Sequence, residues 1–428
     1  MADGAFDFDI VVIGGGPAGL AAASTAAENG RRVALIDETP WLGGQIWRGQ
    51  QSRPLLAAAR SWFERFKRSG ATHISRASVI AFPASGVLLA ENVNGPIQVH
   101  WQRLILATGA RELFLPFPGW TLPGIIGPGG LQTLIKHGWP VAGQRVVVAG
   151  SGPLLLVVAD SLKRKGARVV TVAEQAAWNS VMRFGRALGG HAGKVWQALN
   201  LRLRLVGTPC ECGVWPVRAE GTDTIQSVTL TDGNRVWTES CTLLACGFGL
   251  VPNIELALAL GCELTDNCVK VNAQQATTVS GIYCAGEPTG IGGVDCALVE
   301  GQIAGCSAAG KEIKAEKLFA KRASWHKFRA ALAEAFTLRP EVKTLASDST
   351  LLCRCEDVSL GRMRQFSTWR EAKLQSRCGM GACQGRICGA AAKFILGWGM
   401  ESVRPPLLPA RVGNLISEQP CTSTKPPC

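Results

Sequence analysis

The sequence predicts an α/β protein with two dinucleotide-binding units and a small helical domain that carries cysteines. Three observations carry that prediction. A strand, a glycine-rich turn, a helix and a second strand open the chain at 8–38 and return at 145–174, with Gly150 standing 136 residues after Gly14. A further strand running into an acid and a set of glycines lies at 281–305. Near the end, C-x-C and C-x4-C patterns lie between 353 and 388.

The first unit reads FDIVVIGGGPAGLAAASTAAENGRRVALIDE. Gly14, Gly16 and Gly19 fill a GxGxxG pattern, with Pro17 and Ala18 opening the helix. The first glycine suits a tight turn, the second a close approach to a pyrophosphate, and the third the packing of helix on strand. The diphosphate is then expected at the helix N-terminus, where free N–H groups and the dipole favour an anion. Asp37 and Glu38 end the second strand, with Asp37 placed to accept hydrogen bonds from a ribose. LGGQIW at 42–47 offers a further close-approach loop through Gly44 and Gln45. RLILATGAR at 103–111 is a buried strand ending in the small turn Ala107, Thr108 and Gly109. GIYCAGEPTGIGGVDCALVEGQIAG at 281–305 leads through Gly286 to Glu287.

The second unit, RVVVAGSGPLLLVVADSLKRKGARVVTVAE, keeps two glycines of the pattern, Gly150 and Gly152. Its third slot is Leu155. Its acidic slot, counted at the same spacing, is Ala173, with Glu174 one step late. A leucine there is expected to push helix and strand apart and crowd a phosphate, so a structural remnant and a working nicotinamide site stand as alternatives.

Bulk properties set limits. The 428 residues are 47% hydrophobic and 18% charged with 50 glycines, enough for two or three cores. The opening MADGAFDFDI has acids and no basic stretch, so no signal peptide is expected, and no uncharged run is long enough to span a bilayer. A cytoplasmic location follows, where sixteen cysteines serve as thiols or ligands rather than disulfides. Residues 311–428 hold twenty Lys and Arg against ten Asp and Glu. They form no runs and bring no stacking-aromatic motif, so nucleic acid is not the expected partner. A solvated face, an acidic partner, or compensation for a buried anionic centre remain.

No cysteine precedes Cys210, so a redox-active thiol pair beside the first dinucleotide-binding unit is not expected. Cys353, Cys355, Cys383 and Cys388 provide four thiolates, the number a [2Fe-2S] cluster needs, and Gly379, Gly381 and Gly385 let amides curl round an anion. Zinc competes for four thiolates, although its sites more often carry CxxC at both ends. Cys378 is a nearby spare. The histidines His73, His100, His137, His191 and His326 are scattered, and no catalytic residue is assigned. Gln132 and Lys136 share a helix face that points either to the flavin or to solvent. Cys421 and Cys428 belong to a loose tail.

Taken in order, the FAD motifs resemble those of two-dinucleotide-binding-domain flavoproteins, which implies a glutathione-reductase-like fold and FAD, with Glu287 laid against the ribityl chain. CRCEDV followed by RCGMGACQGRIC resembles the bacterioferritin-associated-ferredoxin-like (BFD-like) [2Fe-2S] domain. Simpler members end in CxxC; here Arg386 holds that last slot and Cys388 is offset by two, leaving the fourth ligand open. The whole chain, including GWTLPGIIGPGGLQTLIKHG and GFGLVPNIELA, resembles the α subunits of opine oxidases, the B subunit of hydrogen cyanide synthase, and the α subunits of proline or hydroxyproline dehydrogenases.

That resemblance implies a division at 1–117 and 246–312 for the FAD domain, 118–245 for an inserted NAD(P)-binding-like domain, 313–350 for a helical connector, 351–400 for the cluster domain and 401–428 for a tail. It implies FAD, a [2Fe-2S] cluster and, as in some relatives, FMN at a subunit junction. The partner would be a flavoprotein β subunit that oxidises an amino acid or secondary amine (an opine, proline, hydroxyproline or a glycine-like substrate), with a small γ subunit in some complexes. Arg354, Arg377 and Arg386 would offset the anionic cluster. The alternatives are an NAD(P)H-dependent reductase that feeds its own cluster and then a ferredoxin-like partner, and an assembly module in which the centres carry no current.

Overall fold

The computed structural model describes residues 6–48, 57–399 and 403–415. Cys421 and Cys428 lie outside the described residues, and the expected tail is described only over 403–415.

Apolar strands that read as near-continuous Val, Ile and Leu form two parallel cores, as expected when both faces are covered. In the first sheet, Thr72–Ser75, Val33–Asp37, Phe6–Ile13 and Gly95–Leu106 lie side by side in parallel, and Ile282–Cys284 joins Gly95–Leu106. Val33–Asp37 is buried along its whole length. The sheet extends through the antiparallel strands Val87–Asn92 and Ser78–Ala84. The Ala-rich helix Pro17–Glu28 crosses its face and packs on Gly293–Ala308. There the small residues allow an approach that larger ones would block: a Cβ at Gly301 would stand 2.2 Å from the Ala18 carbonyl oxygen.

The second sheet is wholly parallel, in the order Cys210–Cys212, Arg168–Glu174, Arg145–Gly150, Leu243–Gly247 and Ile125–Ile126. A three-stranded antiparallel sheet, Trp215–Glu220, Val236–Ser240 and Ser227–Thr231 between them, packs beside it.

After Gly293–Ala308 the chain runs through the helix Phe319–Ala335 to a small unit. That unit consists of a hairpin (Leu351–Cys353 with Val358–Ser359) and helices including Trp369–Ser376 and Cys388–Leu396. Thr368 starts the first of these helices by accepting from the Glu371 amide. Arg377 ends it in the left-handed region at φ 65°, and this turns Cys378 inward. One hydrophobic core runs from Leu115 and Phe117, just before the inserted region, and Trp215 within it through Val342 into Leu352, Met363, Trp369 and Ala391 of the small unit. The Trp120 indole N–H donates to the Leu351 carbonyl at 2.7 Å across the same boundary. Among the described residues no helix is long and apolar enough to cross a membrane.

Candidate functional site: a dinucleotide groove opening toward a knot of thiols

The groove forms where the first strand meets its helix. Gly14, at φ 106°, lies against the next strand so closely that a Cβ would sit 2.2 Å from the Ala107 carbonyl oxygen. A Cβ at Gly19 would stand 1.8 Å from the Gly14 carbonyl oxygen, which fixes glycine at the third slot. Gly16 has open space above it, as an amide that must meet a ligand requires. Asp37 is buried beneath this turn: its carboxylate accepts from the Gly15 amide and, at 2.7 and 2.6 Å, from the amide and hydroxyl of Thr39. Glu38 is exposed beside it on the groove. The Asp37 carboxylate shapes the loop, and both Asp37 and the more exposed Glu38 line the groove.

Other loops close the groove. Gly43 donates to the Gly15 carbonyl at 2.7 Å, which brings Gly44 and Gln45 over the helix start. Lys136 Nζ reaches the Gln45 and Ile46 carbonyls at 3.3 and 3.4 Å, and its burial, followed by the nearby Arg48 charge, pushes its pKa down. Lys136 thus bridges the inserted region to the groove. Ala107 is buried, while Thr108 and Gly109 line the cleft and are held by Asn253: Thr108 Oγ1 donates to the Asn253 carbonyl at 2.7 Å, and Asn253 Nδ2 returns to the Thr108 carbonyl at 2.9 Å. Gly286 turns the chain at φ 81° into Glu287. The Glu287 carboxylate accepts from the Gly292 and Gly293 amides at 3.1 and 3.0 Å, and burial pushes its pKa up to about 7.

One acid in this region is not among the sequence candidates. Glu300 is 1% exposed and accepts from the Gly286 amide and the Thr289 hydroxyl, both at 2.9 Å. Its other oxygen meets His326 Nε2 at 2.8 Å and Arg329 at 3.6 Å, with Cys296 alongside. It secures the loop that presents Glu287, and the helix Phe319–Ala335 supplies its counter-charges. The legible signal is a lone Glu in the small, apolar helix GVDCALVEGQIAGCSA.

The second unit differs from its sequence reading at one point. Residues 145 and 146 pair with 168 and 169, but 147 pairs with 171, so a β-bulge at Val170 inserts one residue. Glu174 therefore pairs with Gly150 and stands in the acid slot that fixed spacing gave to Ala173. Its carboxylate accepts from Gly152 N at 2.6 Å, the counterpart of Asp37 on Gly15, and burial pushes its pKa up to about 7. Leu155 points into the core at 2% exposure. The connector crosses the turn, where the Phe336 and Thr337 carbonyls take the Ser151 hydroxyl and the Gln175 amide at 3.3 and 3.2 Å.

The cysteines gather in the small unit. Cys353, Cys378 and Cys388 are buried with their sulfurs within 4.8 Å of one another. Cys355 is exposed and pairs with the half-buried Cys383, whose amide also donates to the Cys355 sulfur. The structure thus brings Cys353 and Cys388 together, sets Cys355 and Cys383 as a second pair, and puts Cys378 inside the first group. The S–H donors of Cys378 and Cys388, followed by the amides of Gly379 and Glu356, donate to Cys353 Sγ and hold its pKa far below that of an ordinary thiol. Several convergent thiols with amides aimed at a sulfur are a donor set that fits an anionic thiolate-bound metal centre. Cys383 and Arg386 also line the cleft that holds Thr108 and Gly109.

A parallel sheet with a glycine-cradled groove at its switch point defines a dinucleotide-dependent oxidoreductase. The model of the pyridine nucleotide-disulphide oxidoreductases matches residues 8–312, and the chain belongs to that family as a flavin-dependent oxidoreductase, with FAD the cofactor the family supports. Among its relatives, the chain is 32% identical to the A subunit of opine oxidase from Rhizobium meliloti (strain 1021), over 95% of this chain and 98% of that one. It is also 32% identical to the HcnB subunit of hydrogen cyanide synthase from Pseudomonas aeruginosa, over 88% and 90%. Among solved structures, L-proline dehydrogenase from P. horikoshii superposes with a TM-score of 0.71 over 96% of this chain and 80% of that one, at 20% identity.

Proposed function

We propose that this chain is the electron-transferring subunit of a heteromeric oxidoreductase that oxidises an amino acid or secondary amine on a partner flavoprotein β subunit. The observation that carries it is the direct contact of the two sides: Arg111, two residues past Gly109, donates to the carbonyl of Arg386, which lies between Cys383 and Cys388, at 2.9 Å. Bound on these two sides, FAD exchanges electron pairs and a [2Fe-2S] centre on the thiolates takes single electrons. The chain's own residues do the rest. Gly14, Gly16 and Gly19 with Pro17 and Ala18 form the diphosphate cradle, Asp37 shapes it, Glu38 lines the groove beside Asp37, and Gly44, Gln45, Ala107, Thr108 and Gly109 close over it. Gly286 and Glu287 hold the ribityl side. Cys353, Cys355, Cys383 and Cys388 supply the four thiolates, with Cys378 as a fifth beside them. The domain division given from the sequence, an FMN at the junction with the β subunit, a small γ subunit and a cytoplasmic location belong to the same reading. It is supported by relatives that are named as subunits of opine oxidase and hydrogen cyanide synthase.

A second reading is favoured by one observation, the Glu174 carboxylate on the Gly152 amide, which restores the acid of a nicotinamide site. Leu155 and the connector carbonyls over Ser151 and Gln175 weigh against it. One anaerobic experiment separates the two. Excess NADH is expected to leave the flavin oxidised, while dithionite bleaches it and produces the reduced-cluster EPR signal. Fast bleaching by NADH would make the chain a reductase. Oxidation of proline or an opine by the purified chain alone would remove the division of labour.

A further inference from the structure

The flavin-side turn and the cysteine loop come from opposite ends of the sequence, and one side chain joins them. Arg111 lies two residues past Gly109, with its side chain 15% exposed. From its own side it is held by Asn253 Oδ1 and Glu255 Oε1, each 2.8 Å from Nη1. Its Nε donates across the boundary to the Arg386 carbonyl at 2.9 Å. Arg386 lies between Cys383 and Cys388, and its own guanidinium donates to the Cys383 carbonyl at 3.3 Å and the Leu407 carbonyl at 3.0 Å. Asn253, for its part, is bonded in both directions to Thr108. A strip of four residues, Thr108, Asn253, Arg111 and Arg386, therefore runs without interruption from the dinucleotide groove to the loop that carries two thiols.

We propose that Arg111 is the positioning residue that sets the separation and register between the flavin turn and the 383–388 loop. This rests on the electron-transfer role proposed above. Only a guanidinium does this from one side chain: its planar fork donates to an amide oxygen on one edge and to a main-chain carbonyl on another, while its charge pairs with the Glu255 carboxylate. A lysine keeps the charge but not the fork. The guanidinium also lies near the Cys383 sulfur, where a positive charge favours the more negative, reduced form of a thiolate-bound centre. With both groups bound, reduced flavin would give its two electrons up one at a time: the iron pair would hold the first as one ferrous iron, pass it to a one-electron acceptor partner, and only then take the second, while the flavin's proton leaves to solvent.

The test compares full-length chains loaded with FAD and iron, as wild type, Arg111→Gln and Arg111→Lys. Flavin is photoreduced anaerobically and the cluster is followed by freeze-quench EPR. Its midpoint potential is taken by titration, and amide hydrogen exchange is measured across 383–389. For Arg111→Gln, FAD and iron contents are expected to stay unchanged, transfer to slow by about tenfold or more, the potential to fall, and the loop amides to exchange faster. Arg111→Lys is expected to restore most of the potential but neither the rate nor the protection. A merely structural arginine would show no such split. Equal rates and equal loop exchange in all three chains would overturn the proposal. Wild type that holds FAD but no iron would overturn the electron-transfer reading instead, and the exchange comparison would still decide the clamp.

Discussion

The turns at 14–19 and 150–155 sit on the same scaffold and do the same local job with different residues. In both, the first glycine lies against a carbonyl of the third strand, with a would-be Cβ 2.2 Å from Ala107 O in one and 1.8 Å from Gly247 O in the other. In both, a strand-end carboxylate takes a glycine amide of the turn: Asp37 on Gly15 and Glu174 on Gly152. They part at the third slot, where Gly19 touches the Gly14 carbonyl and Leu155 fills the core. Both turns line the cleft and leave open space above Gly16 and Gly152, but the second is in addition crossed by the connector. The local geometry of the turn is therefore kept although its third slot has changed from glycine to leucine.

Three substitutions sharpen or break that comparison. The largest effect is expected from Gly19→Ala, whose methyl would stand 1.8 Å from the Gly14 oxygen. FAD should be lost, and the first unit should be destabilised by about 4 kcal/mol or more. Flavin absorbance of the purified chain and its unfolding midpoint report both. A yellow, stable Gly19→Ala chain would mean the two third slots are equivalent. Next is Leu155→Ala, which removes a side chain at 2% exposure and should cost about 2–5 kcal/mol while leaving the FAD content unchanged. If it instead opened an NADH site detectable by calorimetry, without loss of stability, Leu155 would be a plug rather than core.

The smallest effect concerns pH. Burial raises Glu174 from 4.5 to about 7. Below 4.5 the carboxyl is protonated in both folded and unfolded chains. Between 4.5 and about 7 the folded chain holds a proton that the unfolded chain has released, so stability falls as pH rises, by at most about 3 kcal/mol, and the loss is complete above 7. Glu174→Gln lacks this slope. Its denaturation midpoint should gain on wild type from pH 5 to pH 7 and hold that gain at pH 8. Parallel curves for the two chains would show Glu174 ionised in the fold and the acid slot solvated.

The parts legible in the sequence are those fixed by near neighbours in the chain. The first turn, its helix and Asp37 follow from glycine geometry and strand length. The four candidate cysteines follow from spacing, but their grouping does not: Cys353 meets Cys388, and Cys355 meets Cys383. What the sequence hides depends on pairing at a distance. The bulge at Val170 shows only as a shift of register against the strand Arg145–Gly150, so counting along the chain lands on Ala173. Cys378 looks spare in sequence because its direction is set by the left-handed Arg377 at the helix end. Arg111 reads as the last letter of a buried strand motif, and its partners Glu255 and Arg386 are 144 and 275 positions away.

The core that passes from Trp215 and Phe117 through Val342 to Met363 and Ala391 has a further implication. Two modules that share one interior are expected to melt together, since neither can lose its packing without wetting the other. The inserted unit then acts as a buttress. It keeps the thiol-bearing module level with the flavin groove by mechanical continuity, whatever nucleotide it does or does not admit. A fold inherited for binding a ligand can in this way be kept for its stiffness.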